Sequence, residues 1–194
     1  MKFGIIKERK NPPDRRVVFT PEELVRLQSE HPEAEIKVES SDIRIFSDDQ
    51  YRNLGLNVTT DVSDCDVLFG VKEVPIDALI PNKKYFFFSH TIKKQPYNRK
   101  LLQAILAKSI ELYDHETIVD ATNHRLIGFG RYAGLVGAYN GFRGFGIKYD
   151  LFTLPKAETL SGKEDLIARL KRQTLPNIKI VLTGHGKVGM GAKE

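Results

Sequence analysis

The stretch DVLFGVK, residues 66–72, is a nearly continuous apolar run that ends in a lysine. An uninterrupted run of this kind is typical of a strand that is buried on both faces, as in a parallel sheet. The stretch KYFFFSH, residues 84–90, has the same character and ends in a histidine. The two stretches therefore predict two interior strands of an α/β sheet.

Shorter strands and helices alternate around these two runs. Further strands are predicted over residues 3–7, 35–39 and 110–113. A helix is predicted to begin at Pro21, because Thr20 can serve as its N-cap and Glu23 can close a capping box. A second helix is predicted from the apolar positions 101, 102, 105 and 106. This succession predicts an open, mostly parallel α/β sheet flanked by helices, a Rossmann-like domain over residues 1–130.

Residues 131–148 combine helical spacing with many glycines. Apolar residues recur at helical intervals: Leu135, Val136, Tyr139 and Phe142. Each glycine in a helix costs about 1 kcal/mol relative to alanine, so a helix is reasonable only where another backbone packs closely against it. We interpret the segment as a connector helix that leaves the first domain. A glycine-rich loop is the alternative.

Residues 184–189, GHGKVG, fit the pattern G-x-G-x-x-G directly after a predicted strand over residues 178–183. In this pattern Gly184 permits a tight turn, Gly186 lets the backbone approach a pyrophosphate, and Gly189 allows close helix packing. The pattern predicts a dinucleotide-binding site, with a glycine-rich turn without a ligand as the alternative. A further helix is predicted over residues 161–172.

The ribose-binding acid of such a site is expected about 20 residues after the glycines, which lies beyond Glu194. We therefore expect residues 131–194 to form the connector helix and the first βα element of an NAD-binding domain. On this interpretation the sequence is part of a longer enzyme. Alone, it is expected to bind NAD weakly or not at all and to be inactive.

Composition disfavours several classes of protein. The 194 residues carry a net charge of +5, but the 30 basic and 25 acidic residues are interspersed, which disfavours nucleic-acid binding. No apolar run approaches the roughly 20 residues needed to span a membrane. The single cysteine, Cys65, cannot form an internal disulfide, which indicates a reducing compartment. The sequence begins without a secretory signal, so a cytoplasmic location is expected, and no metal site is predicted.

Three polar residues are candidates for the chemistry of a site. Lys72 and His90 end the two apolar strands, at the edge where such sheets bind their ligands. A partly desolvated lysine and a histidine both suit proton transfer. Arg16 can hold a substrate carboxylate through a bidentate pair. The alternatives are a surface salt bridge for the lysine, a backbone-bonded histidine and an arginine on a solvated turn.

Several motifs together resemble one enzyme superfamily. Residues 2–8 and 14–21, with the pattern K-E followed by R-x-x-x-T-P, are similar to the opening of the alanine dehydrogenase and transhydrogenase superfamily. The lysine and histidine motifs of that superfamily are matched by residues 71–75 and 88–91. Three further segments resemble its lysine-forming saccharopine dehydrogenase branch: residues 112–116, 129–134 and 141–143.

The resemblance implies roles for individual residues. It places the acid–base pair on Lys72 and His90 and the substrate arginine on Arg16, with Lys93 and Glu116 close to the substrate. The implied reaction transfers hydride from the Cα of a secondary amine to NAD and gives an imine, which water converts to an amine and a 2-oxo acid. The sequence does not distinguish NAD from NADP. His185 is unusually bulky for its place between two fingerprint glycines, and residues 30–63 match the family loosely.

Other functions stay open at this level. An alanine dehydrogenase-like enzyme would use the same polar residues, and a non-catalytic binding module could keep the fold without turnover. A regulatory domain that uses only the glycine loop would leave Lys72 and His90 unexplained. The expected partner is a small amino acid or 2-oxo acid. A homodimer is also left open, because a partial chain can expose apolar surface.

Overall fold

The first of two compact units, Met1–Ile127, is built on a six-stranded sheet. The computed structural model describes all 194 residues. Along the chain the strands are β1 (Lys2–Ile5), β2 (Glu35–Glu39), β3 (Asn57–Thr59), β4 (Val67–Lys72), β5 (Lys84–Phe88) and β6 (Glu111–Asp114). They lie in the order β3-β2-β1-β4-β5-β6, and all neighbours pair in parallel. The predicted open, parallel α/β sheet is confirmed.

Three α-helices accompany this sheet: α1 (Pro21–Glu30), α2 (Asp48–Arg52) and α3 (Arg99–Ala107). The predicted capping box begins α1, since Glu23 donates its N–H to Thr20 Oγ1 at 3.2 Å and Thr20 donates its N–H to Glu23 Oε2 at 2.8 Å. Leu24 of α1 packs into one buried cluster, and Leu101 and Ile105 of α3 pack into another. The two clusters together bury β1, β2, β4 and β5, which explains the apolar composition of those strands.

The second unit, Gly128–Glu194, contains α4 (Gly130–Lys148), α5 (Lys163–Lys171) and α6 (Lys187–Lys193). The helix predicted over residues 131–148 is confirmed as α4, and the glycine-rich loop is not formed. A Cβ on Gly134 would lie 1.9 Å from the carbonyl oxygen of Val188, and one on Gly191 would lie 1.9 Å from that of Arg131. Glycines on α4 and α6 thus let the two helix backbones approach each other. No helix combines the length and apolar composition needed to cross a membrane.

Alanine substitutions on α4 should therefore have opposite effects at two glycines. Gly134→Ala forces a methyl group into the backbone of α6, and overpacking of this kind costs about 1–3 kcal/mol. At Gly137 a Cβ would meet nothing within 4 Å beyond the backbone of its own helix, so Gly137→Ala should stabilise the helix by up to about 1 kcal/mol through propensity alone. Urea unfolding followed by circular dichroism measures both changes. Equal effects at the two positions would contradict the close approach of α4 and α6.

The strand predicted over residues 178–183 is wrong. These residues are irregular and exposed, and Val181 is 84% exposed. A strand needs neighbours to receive its backbone hydrogen bonds, and no strand of the chain pairs with this segment. The helix predicted after the glycines does form, as α6.

Candidate active site

The strand order reverses between β1 and β4, and polar residues collect where these two strands end. Successive strands run outward from β1 through β2 to β3, and then from β4 through β5 to β6. In open α/β sheets a ligand crevice forms at this switch point, outside the carboxyl ends of the strands. Glu8 lies just beyond β1, and Lys72 is the last residue of β4. The sheet topology therefore marks the edge that carries Lys72 as the candidate site.

A bulge in β4 determines which side of the sheet Lys72 faces. Phe69 pairs with Phe86 and Lys72 pairs with Phe88, so β4 advances by three residues while β5 advances by two. Successive side chains of a strand alternate between faces, and an extra residue reverses that alternation. Lys72 consequently lies on the same face of the sheet as its partner Phe88. The rings of Phe69 and Phe86 also lie on this face, where they stack with their centroids 4.7 Å apart.

Glu8 binds the backbone of this bulge. Its Oε1 accepts the Val71 N–H at 2.7 Å, and its Oε2 accepts the Lys72 N–H at 2.9 Å. The side chain is buried, and burial raises the pKa of Glu8, although the two backbone hydrogen bonds act in the opposite direction. Sequence reasoning did not single out this residue beyond its place in the K-E motif.

His90 follows β5 and lies on the face shared by Lys72 and Phe88. Its ring stacks on Phe88, with 6.3 Å between ring centroids. The backbone of His90 is left-handed, with φ of 57°, an uncommon conformation for a residue other than glycine. Asn98, which is buried, donates from Nδ2 to the carbonyl oxygen of His90 at 2.9 Å. Such a conformation persists where the surrounding structure holds it, so the imidazole is fixed at the sheet edge.

Glu116 and Lys93 contact the same nitrogen of the His90 ring. Nδ1 lies 3.0 Å from Glu116 Oε2 and 3.0 Å from Lys93 Nζ. It can donate to the carboxylate or accept from the ammonium, but one nitrogen cannot do both. Lys93 also pairs with Glu116 Oε1 at 3.2 Å, and Arg125 lies 3.5 Å from that oxygen. The predicted site residues His90, Lys93 and Glu116 are therefore brought together, and Nε2 is the ring nitrogen outside this cluster.

The charges in this cluster favour an ionised carboxylate. Desolvation opposes ionisation of Glu116, but hydrogen bonds from His90 and Lys93 outweigh it and hold the pKa of Glu116 below its ordinary value. The ionised carboxylate is thus available to accept a hydrogen bond from Nδ1 of the His90 ring. Arg125 was missed by sequence reasoning, since its place beside Glu116 depends on the fold of the loop after β6.

A buried network under the loop supports the cluster. Ser89 donates its hydroxyl to Asp114 Oδ2, and Thr91 donates its N–H to Ser89 Oγ at 3.1 Å. Asp114 Oδ1 accepts the N–H of Glu116 at 2.8 Å. Hydrogen bonds through Ser89 and Asp114 therefore connect the backbone beside His90 to the backbone of Glu116. Neither residue was predicted, because a lone serine or aspartate after a strand gives no sequence signal of its own.

Arg16 is paired within its own loop. Its Nε donates to Asp14 Oδ1 at 2.9 Å and its Nη2 donates to Asp14 Oδ2 at 2.5 Å. These hydrogen bonds lower the pKa of Asp14, and the charge of Lys72 contributes in the same direction, so the pair lies near Lys72. The guanidinium edge predicted to bind a substrate carboxylate is thus already taken by Asp14.

The glycine loop has some of the backbone features of a dinucleotide site, although the strand predicted before it is not formed. Gly184 has φ of 94°, the left-handed region that a tight turn uses. A Cβ on Gly189 would lie 2.3 Å from the Gly184 carbonyl oxygen, whereas Gly186, at the start of α6, has no atom near its Cβ position. The geometry of Gly184 and Gly189 therefore fits a pyrophosphate-binding turn, and the space beside Gly186 is open to a ligand. An adjoining depression of about 700 Å³ is lined by Arg131, His185, Gly186, Lys187, Met190, Lys193 and Glu194.

His115 is buried between the ends of β4 and β5. Its Nε2 lies 3.1 Å from the Gly70 carbonyl oxygen, and its ring meets Phe88 at 5.2 Å. Desolvation lowers the pKa of His115, although the Gly70 contact opposes this. The imidazole is therefore neutral in the folded protein at neutral pH.

The buried neutral His115 should make the fold less stable in weak acid. The unfolded chain binds a proton at His115 as pH falls below about 6.5, while the folded chain resists it. The free energy of unfolding therefore loses nothing through His115 above that pH. Below it, this one group lowers the free energy of unfolding by at most about 1.4 kcal/mol per pH unit. His115→Phe should reduce the loss of unfolding free energy between pH 7.5 and pH 5.5, as measured by urea titration. The exposed His124→Gln should keep the wild-type loss, and an unchanged loss in His115→Phe would rule this explanation out.

A family match fits this sheet and its edge residues. Residues 4–136 match the model of the alanine dehydrogenase/PNT N-terminal domain, which covers more than half of the chain. The chain belongs to this family. Saccharopine dehydrogenases are among the proteins that it resembles in sequence.

The proteins that are similar to this chain in amino-acid sequence belong to the saccharopine branch of the superfamily. The chain is 31% identical to alpha-aminoadipic semialdehyde synthase of Arabidopsis thaliana over 213 aligned residues, covering 98% of the chain and 20% of that protein. It is 28% identical to saccharopine dehydrogenase [NAD(+), L-lysine-forming] of Yarrowia lipolytica, covering 81% of the chain and 47% of that protein. The chain thus spans between a fifth and about half of the length of these relatives.

Solved structures share the fold. The transhydrogenase from Sinorhizobium meliloti superposes with a TM-score of 0.60 at 17% identity, covering 81% of this chain and 48% of that one. An L-alanine dehydrogenase superposes with a TM-score of 0.55 at 20% identity, covering 77% and 41%. The predicted superfamily and its saccharopine branch are confirmed.

Proposed function

We propose that this chain is the N-terminal portion of an NAD-dependent dehydrogenase of the saccharopine type, which acts on a CH–NH bond. The reaction would oxidise a secondary amine and release lysine and 2-oxoglutarate, or run in reverse. Residues 1–130 would form the substrate domain, and residues 131–194 would lead into the NAD-binding domain. The sequence relatives support this choice over alanine dehydrogenase, which shares the fold at lower identity.

The observation that carries the proposal is the common side of Lys72 and His90. The bulge in β4 turns Lys72 toward the face of Phe88, on which the ring of His90 is stacked. An amine and an imidazole at adjacent strand ends suit a reaction that needs two proton transfers. A binding module that lacks turnover would not require this arrangement.

Each residue then has a role in the proposed reaction. Bound NAD would supply the acceptor for the hydride that leaves the Cα of the secondary amine. Lys72 and His90 exchange protons with the amine nitrogen and with the water that attacks the resulting carbon, so that the C–N bond breaks with a proton on the departing amine. Glu116 and Lys93 would orient the His90 ring through their contacts with Nδ1.

Two further sites complete the proposal. Arg16 would bind a substrate carboxylate through its guanidinium, with the substrate oxygens lying beside Asp14 or replacing it. Gly184, Gly186 and Gly189 would hold the pyrophosphate of NAD, as their backbone geometry supports. Whether NAD or NADP is used depends on a ribose contact that lies outside these glycines.

The test uses a longer protein that carries this chain together with a complete dinucleotide-binding domain. Lysine with 2-oxoglutarate and NADH is compared with ammonia with pyruvate and NADH, and the loss of NADH is followed by absorbance. Each 2-oxo acid without its amine is the control. We expect turnover with lysine and 2-oxoglutarate. Turnover only with ammonia and pyruvate would favour alanine dehydrogenase, and no turnover with either pair would favour a binding module.

A further inference from the structure

We propose that Glu8 is a positioning residue for Lys72, because its carboxylate holds the bulge that turns Lys72 to the His90 side of the sheet. This inference deepens the proposed function and rests on it for the role of Lys72. The holding of the bulge itself is a property of the 194-residue chain and can be measured without activity.

The need for Glu8 follows from where β1 ends. The ladder between β1 and β4 runs from Phe3 opposite Val67 to Ile5 opposite Phe69, and its last bond joins the Ile6 N–H to the Phe69 carbonyl. Beyond that point β1 has left the sheet, while β4 continues through Lys72. The backbone N–H groups of Val71 and Lys72 therefore need an acceptor other than a strand.

The carboxylate of Glu8 meets this need with both oxygens. It accepts one N–H from Val71 and one from Lys72, two consecutive residues. Consecutive N–H groups that point to one side are a feature of a bulge, because a regular strand alternates their direction. A two-oxygen acceptor thus fits the bulge, and it would not fit a regular strand.

The surroundings of Glu8 leave it little freedom. The residue is 8% exposed, and a Cβ at Gly70 would lie 2.9 Å from Ile6 Cδ1 and 3.5 Å from Glu8 Oε1. The absence of a side chain at Gly70 therefore admits the carboxylate against β4. Without the bulge, the alternation of the strand would direct Lys72 to the opposite face, away from Phe88.

Glu8→Gln tests the holding of the bulge in the chain itself. Glutamine has one acceptor oxygen, and its NH₂ group would face the second backbone N–H donor to donor. Amide hydrogen exchange, measured by NMR, should become roughly 10-fold faster at Val71 and Lys72. This is the change in rate expected when one charge-assisted hydrogen bond is lost. Contacts between the Lys72 side chain and the Phe88 ring, seen as nuclear Overhauser effects, should weaken. Unchanged exchange and unchanged contacts would overturn the proposal.

Glu39→Gln is the matched control. Glu39 is also buried and also accepts a backbone N–H, from Lys7 at 2.9 Å, but its side-chain hydrogen bonds go to Lys7 and Arg9 and not to β4. Its substitution should leave exchange at Val71 and Lys72 unchanged. If both variants speed exchange at these two residues equally, the effect is general loosening and the specific role of Glu8 is wrong.

A double-mutant cycle in the longer enzyme tests whether Glu8 acts through Lys72. Glu8→Gln should lower kcat by about 10-fold with little change in KM, and should cause no further loss in a Lys72→Met background. An equal loss in both backgrounds would mean that Glu8 acts elsewhere, which overturns its positioning role. If the longer protein has no dehydrogenase activity, the proposed function fails, and the exchange measurement alone decides whether Glu8 holds the bulge.

Discussion

Lys72→Met is expected to lower the rate of hydride transfer in the longer enzyme by about 10²-fold or more, the usual contribution of an acid–base group. Methionine keeps most of the volume of the side chain and removes only its amine. The backbone bond from Lys72 to Glu8 is retained, so the bulge should persist. Single-turnover kinetics with saturating substrate and NAD measures the loss.

Lys84→Met is the control for this prediction. Lys84 begins β5, at the opposite edge of the sheet from Lys72, and pairs with Glu111 at 3.7 Å. Surface ion pairs of this kind contribute little to stability, about 0–1 kcal/mol. The Lys84 variant should therefore keep wild-type turnover. Near-normal turnover in Lys72→Met would remove Lys72 from the mechanism.

His90→Asn is expected to cause a loss of similar size, about 10²-fold or more in kcat. Asparagine is chosen because it tolerates the left-handed backbone found at His90, whereas most residues would add strain. The substitution thus removes the imidazole while the loop keeps its conformation. Turnover and thermal unfolding of the variant separate a chemical role from a structural one.

Lys94→Asn is the control for the histidine. Lys94 also has a left-handed backbone, with φ of 52°, and its side chain is exposed in the same loop. It should keep both turnover and stability. A comparable loss of activity in the Lys94 variant would indicate that the loop, and not the imidazole, is responsible for the effect.

The interior of the sheet could be predicted from sequence because it is buried on both faces. Residues 67–71 and 85–88 are apolar almost throughout, and such a run is typical of a parallel strand. The prediction placed β2 correctly at residues 35–39. It missed α2 and β3, which are five and three residues long and too short to give a clear period.

The segment at residues 178–183 shows the limit of local patterns. Its composition favours a strand, but a strand is stable only beside neighbours. The glycine turn and α6 form because their contacts are local or lie within α4. Composition alone could not distinguish a segment that needs neighbouring strands from one whose contacts lie close by.

The sequence predicted which residues form the candidate site better than it predicted how they are arranged. Lys72 and His90 stand at strand ends, which the sequence reveals through the strands that precede them. The bulge that turns Lys72 depends on the pairing between β4 and β5, and no local pattern predicts such pairing. The supporting residues Glu8 and Asp114 are likewise defined by backbone groups far away in sequence.

The proposed mechanism requires the Lys72 amine and the His90 imidazole to act on one substrate from one side of the sheet. A crystal structure of the longer enzyme with its secondary-amine substrate bound is the decisive measurement. We predict that Lys72 Nζ and His90 Nε2 lie within hydrogen-bond reach of the same ligand, about 3 Å, without an intermediary or through one water. A ligand bound at the glycine loop while Lys72 and His90 point to opposite faces of the sheet would refute this mechanism.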